Sequence, residues 1–172
     1  MRLIRATEAE APVMAAVHAE AFDKPWREDE FEDLLDGEGI YGFVAEGAPA
    51  HAGDEPGAGH DEPWGVILCR VAAGEMEILT IGVALAARRR GVAKALISAS
   101  LPVAMALGAE AVFLEVAVDN DPGIGLYEGL GFVRAGLRKG YYDRGPAGLT
   151  DALVMRLDLA AAAPYLPAGE VG

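Results

Sequence analysis

Three stretches constrain the fold more than any other part of the chain: the apolar run Ile78-Leu-Thr-Ile-Gly-Val83, the basic segment Ala87-Arg-Arg-Arg-Gly-Val-Ala-Lys94, and the nearly continuous apolar run Ala111-Val-Phe-Leu-Glu-Val-Ala-Val118. Between the second and third, Val92, Leu96, Ile97 and Val103 recur at helical spacing, and Gly108 closes the helix. A strand, helix and strand in that order imply two parallel strands inside a sheet. Pro102 is expected to kink the helix, because it leaves the Ser98 carbonyl without its intrahelical partner. The basic segment also has the makings of an anion site. A helix start presents unpaired N–H groups, Gly91 and Ala93 are small enough for close approach, and Arg88, Arg89, Arg90 and Lys94 add charge where the helix dipole is already positive. Phosphate fits such a loop; for an isolated pattern, so does a solvated basic turn.

The composition narrows the function classes. A chain of 172 residues, 52% of them hydrophobic, can bury a core and is read as one domain over residues 1–159 with a peripheral tail over 160–172. No run approaches the eighteen or so apolar residues of a membrane helix, and Met-Arg-Leu-Ile-Arg-Ala-Thr-Glu at the start lacks a signal peptide's apolar stretch, so a cytoplasmic protein without membrane partners is expected. The single Cys69 has no partner for a disulfide or for zinc and reads as a small core residue. His18, His51 and His60 lie too far apart, in too polar a setting, to suggest a metal. The net charge of −13 opposes direct nucleic-acid binding. It suits a cationic partner, or simply solubility.

Along the chain, Arg2 to Ala6 alternates as a first strand, and Thr7 with Glu10 forms a capping box that opens a helix through Val13, Met14, Val17 and Phe22. Pro25 stops that helix, and a second follows from Arg27 to Leu35, so Phe22-Asp-Lys-Pro-Trp26 is a fixed elbow. Tyr41 to Ala45 and Trp64 to Val71 read as hairpin partners joined by a long, mobile loop over residues 46–63. A strand is expected from Glu75 to Val83. After Ala111 to Val118 come a cap at Asn120 or Asp121, a short helix ending at Gly129 or Gly131, and strands over Val133 to Leu137 and Ala152 to Leu157, with residues 138–150 between them.

Two local conflicts stand out. Glu115 is the ionisable residue in an apolar central strand, which marks either a functional carboxylate or one paired with an arginine near a strand end. Gly123 and Gly125 each cost roughly 1 kcal/mol inside a helix, which close approach by a ligand or a neighbouring element would offset.

Taken in order and spacing, Ile81-Gly-Val83, Arg88-x-x-Gly91-x-Ala93, Leu114-Glu-Val116, Asn120, Leu126-Tyr-Glu-Gly-Leu-Gly-Phe132 and Tyr141-Tyr142 through Asp151-Ala-Leu-Val-Met155 resemble the GNAT superfamily of N-acetyltransferases. Within it, the pattern is most similar to the subfamily that acetylates the N-terminal alanine of a bacterial ribosomal protein. The resemblance implies an α/β (α+β) fold: a mixed, mostly antiparallel sheet with a splayed central pair of parallel strands and helices on both faces. It implies acetyl-CoA as donor and no metal. The backbone of Ile81, Gly82 and Val83 would pair with the pantetheine, the loop of Arg88, Arg89, Arg90, Gly91, Val92, Ala93 and Lys94 would hold the pyrophosphate, and Asn120 would contact the cofactor arm. Glu115 matches the family's general base and Tyr127 its general acid, although Tyr127 also suits packing on the sheet. Trp26, Tyr141 and Tyr142 would hold the acceptor, a protein N-terminus such as that of a ribosomal protein.

The chemistry asks for such a pair. Only the unprotonated amine attacks a thioester, and with a pKa of about 7.7–8.0 an N-terminal amine is mostly ammonium at neutral pH, so a base must take a proton. A strand amide near Val83 is the natural donor to the oxygen that gains charge. The sequence departs from the subfamily at Ala93, at Thr150 and in the length of the 46–63 loop, all of which bear on the acceptor. A small amine or a lysine side chain is the alternative acceptor, and an acetyl-CoA-binding module without turnover the third reading.

Overall fold

The computed structural model describes residues 1–48 and 61–160. Seven strands and four helices follow one another along them: β1 Arg2–Arg5, α1 Ala11–Ala21, α2 Glu28–Leu35, β2 Ile40–Gly47, β3 Glu62–Ala72, β4 Glu75–Val83, α3 Val92–Ala106, β5 Ala111–Ala117, α4 Asp121–Gly129, β6 Val133–Asp143 and β7 Leu149–Asp158. The strand order is β1-β2-β3-β4-β5-β7-β6. β4 and β5 run parallel, as the strand–helix–strand reading requires, while β1·β2, β2·β3, β5·β7 and β6·β7 are antiparallel. This is the mixed α/β sheet expected. Among the described residues, no helix is long and apolar enough to cross a membrane. The chain divides into two compact units, one of Met1–Arg70 with Leu79–Ser100, the other of Val71–Ile78 with Leu101–Gly172.

In the first unit, Thr7 opens the helical segment as its capping box predicts: the Thr7 N–H donates to the Glu10 carboxylate at 2.7 Å and the Ala9 N–H to Thr7 Oγ1 at 3.3 Å. Such a cap is worth about 1 kcal/mol. The Thr7 hydroxyl, which donates to the same carboxylate at 2.6 Å, and then the Thr7 N–H hold the Glu10 carboxyl below its ordinary value. One 3-10 turn, Glu8–Glu10, precedes α1. That helix ends at Ala21 and Phe22 is already extended, so Pro25 lies beyond the end rather than causing it. Met14 and Val17 of α1, Phe31 of α2, Val44 of β2 and Val66 and Leu68 of β3 close one core with Ala6 and Ala11. Burying a side chain the size of Phe31 contributes roughly 1.5–3 kcal/mol, which makes this cluster the main reason α1 and α2 stay folded. Strands β2 and β3 run further than the sequence suggested, to Gly47 and from Glu62, because their register continues through a bulge at Ala45/Glu46. Most of the expected 46–63 loop, and the tail from residue 161, lie outside the described residues.

In the second unit, Ala73 and Gly74 both take positive φ and turn the chain into β4, as a two-residue hairpin requires. The parallel register runs from Glu75↔Ala111 to Glu77↔Phe113, and β5 continues along β7 from Ala111↔Asp158 to Ala117↔Ala152. Helix α3 runs through Pro102 to Ala106, and Gly108, at φ +87, ends it as expected. Strand β5 is apolar in sequence yet alternates in burial: Val112, Leu114 and Val116 are buried, whereas Phe113, Glu115 and Ala117 are half-buried. The face carrying Glu115 is therefore the less covered one, and the conflict of a carboxylate in an apolar run is smaller than its neighbours suggest.

The last hairpin corrects the sequence reading. Residues 138–142 continue β6 to Asp143, with register shifts at Arg134/Gly136 and Arg138/Tyr142. Tyr141 and Tyr142 therefore stand on a strand. The connection to β7 shrinks to Arg144 and the turn Gly145–Ala147 with Gly148.

Candidate active site

The basic loop follows β4. A 3-10 turn, Leu85–Ala87, leads to Arg88, Arg89, Arg90 and Gly91, all exposed. Gly91 sits at φ +80, a conformation L side chains rarely adopt, and a Cβ placed there would meet nothing within 4 Å. Arg89 takes φ +64, which costs a non-glycine residue on the order of 1 kcal/mol. The loop is thus held in a shape that opens toward solvent at the start of a 15-residue helix. Among the described residues none of Arg88, Arg89, Arg90 or Lys94 has an ion pair. Arg90 instead lies 4.3 Å over the Trp64 ring. Val92 is buried, and a Cβ on Gly65 would meet its Cγ1 at 2.7 Å, so Val92 belongs to the packing of the helix while the cations face water.

On β4, Gly82 is buried between half-buried Ile81 and Val83. A side chain at Gly82 would meet Ala21 Cβ at 3.2 Å and Phe22 Cε2 at 3.3 Å. Packing of the α1 end on the strand is reason enough for glycine there, beside any role of its backbone.

The elbow after α1 is organised by a residue that the sequence reading considered only as a metal ligand. His18, 3% exposed, stacks on Phe22 at 4.1 Å and on Trp26 at 5.2 Å, and meets the edge of Phe31 at 5.5 Å. Its Nδ1 accepts the Trp26 N–H at 3.0 Å and its Nε2 lies 3.0 Å from Thr80 Oγ1. Burial lowers its pKa to about 4, so it is neutral at ordinary pH. His18 rather than Pro25 fixes where Trp26 stands.

In the second unit, Glu115 lies on the wall of a cavity of about 110 Å³, lined also by Glu75, Met76, Glu77, Phe113, Leu114 and Val154. Its carboxylate is gripped from β6. Arg138 donates to Glu115 Oε1 and lies 4.3 Å over the Tyr141 ring. The Glu115 carboxylate nearby raises the Tyr141 phenol's pKa, and the Tyr142 hydroxyl donates to the Glu115 backbone carbonyl at 3.3 Å. Gly140 donates its N–H to Asp151 at 2.8 Å, pinning the strand where these residues project. Glu115 is thus paired with an arginine, one of the two readings given above, and it also lines a cavity. Arg138 was missed because the pair is 23 residues apart in sequence.

Tyr127 is buried on α4, edge-on to Phe132 at 5.8 Å. Burial, with Tyr142 nearby, raises its hydroxyl to about 12, so it is a neutral donor at any working pH. Asn120 caps α4, its Oδ1 accepting the Gly123 N–H at 3.0 Å. That explains Gly123: a Cβ there would meet Asn120 Nδ2 at 2.7 Å, whereas one on Gly125 meets nothing within 4 Å. Glu115, Tyr127, Tyr141 and Tyr142 thus belong to one unit with Asn120, and the basic loop and the Trp26 elbow to the other.

A carboxylate on a cavity and a neutral phenol suit proton transfer, and an exposed basic loop at a helix start suits an anion. An N-alpha-acetyltransferase RimI of Mycobacterium tuberculosis is 41% identical over 91 residues, which is 53% of this chain and 54% of that protein. The chain spans about half or less of the length of the curated relatives it matches. Among solved structures, the ribosomal-protein-S18-alanine N-acetyltransferase of Escherichia coli superposes with a TM-score of 0.74 at 24% identity, covering 99% of each chain. NAA60 of Arabidopsis thaliana, solved with acetyl-CoA, gives 0.75 at 20% identity over 92% of this chain and 98% of that one. The profile of the Acetyltransferase (GNAT) family matches residues 11–132, well over half of the chain, and the chain belongs to that family.

Proposed function

We propose that this protein transfers the acetyl group of acetyl-CoA to the N-terminal amine of a protein, with alanine as the first residue and a ribosomal protein as the natural substrate. The observation that carries the reading is the half-buried Glu115 carboxylate on a cavity wall within a chain of this family.

The donor fits the residues present. The open cradle at Gly91 and the cations Arg88, Arg89, Arg90 and Lys94, without ion pairs among the described residues, match a pyrophosphate. Ile81, Gly82 and Val83 offer strand backbone to the pantetheine, and Asn120 keeps its Nδ2 for the cofactor arm while Oδ1 caps the helix. Acetyl-CoA supplies an activated thioester: the amine nitrogen bonds to the acetyl carbon, the carbon–sulfur bond breaks, and free CoA leaves as the thiol.

Glu115 takes a proton from the acceptor ammonium, directly or through a water. Tyr127 offers its O–H to the departing sulfur. Leaving Tyr127 as an anion while protonating a thiolate of pKa about 8.5 would be uphill by on the order of 5 kcal/mol. The phenol therefore regains a proton from the acceptor nitrogen as it gives its own to sulfur, and no tyrosinate forms.

Support for the acceptor comes from charge and aromatic surface. Glu28, Asp29 and Glu32 on α2 sit in a chain of net charge −13 and attract a basic second residue, while Trp26, Tyr141 and Tyr142 offer rings to an extended backbone. The test compares acetylation, by mass spectrometry, of a peptide beginning Ala-Arg, of the same peptide blocked at its N-terminus with an internal lysine, and of a free polyamine. The Ala-Arg peptide should react fastest. Preference for either of the others overturns the N-terminal acceptor and leaves acetyl transfer standing.

A further inference from the structure

We propose that Arg138 is a positioning residue that acts through Glu115, fixing its carboxylate toward the cavity. The inference rests on Glu115 as the base. In register, Arg138 of β6 pairs with Ala152 of β7, which pairs with Ala117 of β5. The β7 residue opposite Arg138 is the small Ala152, and over it the arginine crosses β7 to reach Glu115, two residues before Ala117 on β5. It does so although β6 is otherwise an exposed strand, where a free arginine would extend into water. Its guanidinium lies 4.3 Å over the Tyr141 ring. A planar fork on an aromatic ring holds one geometry in a way that an ammonium on a flexible stem does not.

The surrounding charges show what the contact is for. Glu75 and Glu77 of β4 line the cavity with Glu115 of β5, and Glu77 also acts on Arg138. From β7, Arg156 lies 5.9 Å over the Phe113 ring. Of these three carboxylates, Glu115 is the one to which the Arg138 guanidinium donates, so the arginine sets the orientation of that carboxylate.

If the pair merely ties β6 to β5, Arg138 will matter equally whether or not residue 115 is a carboxylate. A kinetic double-mutant cycle separates the two roles. Wild type, Arg138→Gln, Glu115→Gln and the double variant are assayed with acetyl-CoA and whichever of the Ala-Arg peptide, the blocked lysine peptide or the polyamine the wild type acetylates fastest. Arg138→Gln should lower kcat by roughly tenfold or more with KM for acetyl-CoA unchanged, and Arg138→Lys should restore part of the rate. In the Glu115→Gln background, Arg138→Gln should cost less than about twofold. Equal loss in both backgrounds, or a wild-type rate for Arg138→Gln beside a slow Glu115→Gln, overturns this role alone. A wild-type rate for Glu115→Gln, or no acetylation of any amine by wild type, removes the base and this inference with it. Thermal melts check folding, and Arg138→Lys carries the comparison should the glutamine variant not fold.

Discussion

Trp26 donates its backbone N–H to Nδ1 of His18 at 3.0 Å, eight residues back along the chain, while Nε2 of the same ring faces Thr80 Oγ1 at 3.0 Å. With Nδ1 accepting, Nε2 carries the hydrogen and donates to Thr80. One neutral imidazole thus joins the end of α1, the elbow and β4.

This contact gives stability a pH dependence of known sign. Unfolded, His18 titrates near 6.5; folded, near 4. Below pH 6.5 the unfolded chain binds a proton that the folded chain refuses, so the stability contributed above 6.5 is lost as pH falls toward 4. This residue alone accounts for about 3 kcal/mol. Chemical denaturation from pH 7 to 4 should show a steeper fall for wild type than for His18→Gln, whose amide can keep both bonds. Parallel curves would contradict the assignment.

How far the sequence predicts this molecule depends on the range of the interactions involved. The capping box at Thr7, the end of α3 at Gly108 and the parallel pairing of β4 with β5 rest on neighbours or on pattern, and each is present. Glu115 was legible as a conflict of residue type with its surroundings. Its partner was not, because the contact of Arg138 crosses an intervening strand and joins residues 23 apart in sequence. The length of β6 was hidden because Gly140 and the charges before it break the alternation that signals a strand. His18 was weighed only as a metal ligand and set aside; its two hydrogen bonds lie eight and sixty-two residues away.

The two glycines of α4 should respond oppositely to alanine. Gly125→Ala should raise stability by roughly 0.5–1 kcal/mol, because a Cβ there meets nothing and the helix gains propensity. Gly123→Ala must push aside the Asn120 side chain that caps the helix, which offsets the gain by about 1 kcal/mol or more. Denaturation midpoints check this, and equal gains would dismiss the cap.

Acetyl-CoA in excess over its Kd should raise the Tm of wild type, since binding to the folded chain alone stabilises it. Gly91→Asp should weaken that rise in two ways: a side chain is strained at φ +80, and its charge repels phosphate. An undiminished affinity in a folded variant would remove the basic loop from the donor site.

Acetyl transfer with Glu115 as base is tested most directly by kcat/KM of Glu115→Gln against wild type across pH 6.5 to 9, on the best of the three acceptors. The variant should bind acetyl-CoA as wild type does, yet fall short in kcat/KM by roughly 10²–10⁴-fold near neutrality. The deficit should narrow as pH rises and more of the amine is already neutral. A variant that matches wild type at every pH would contradict the account.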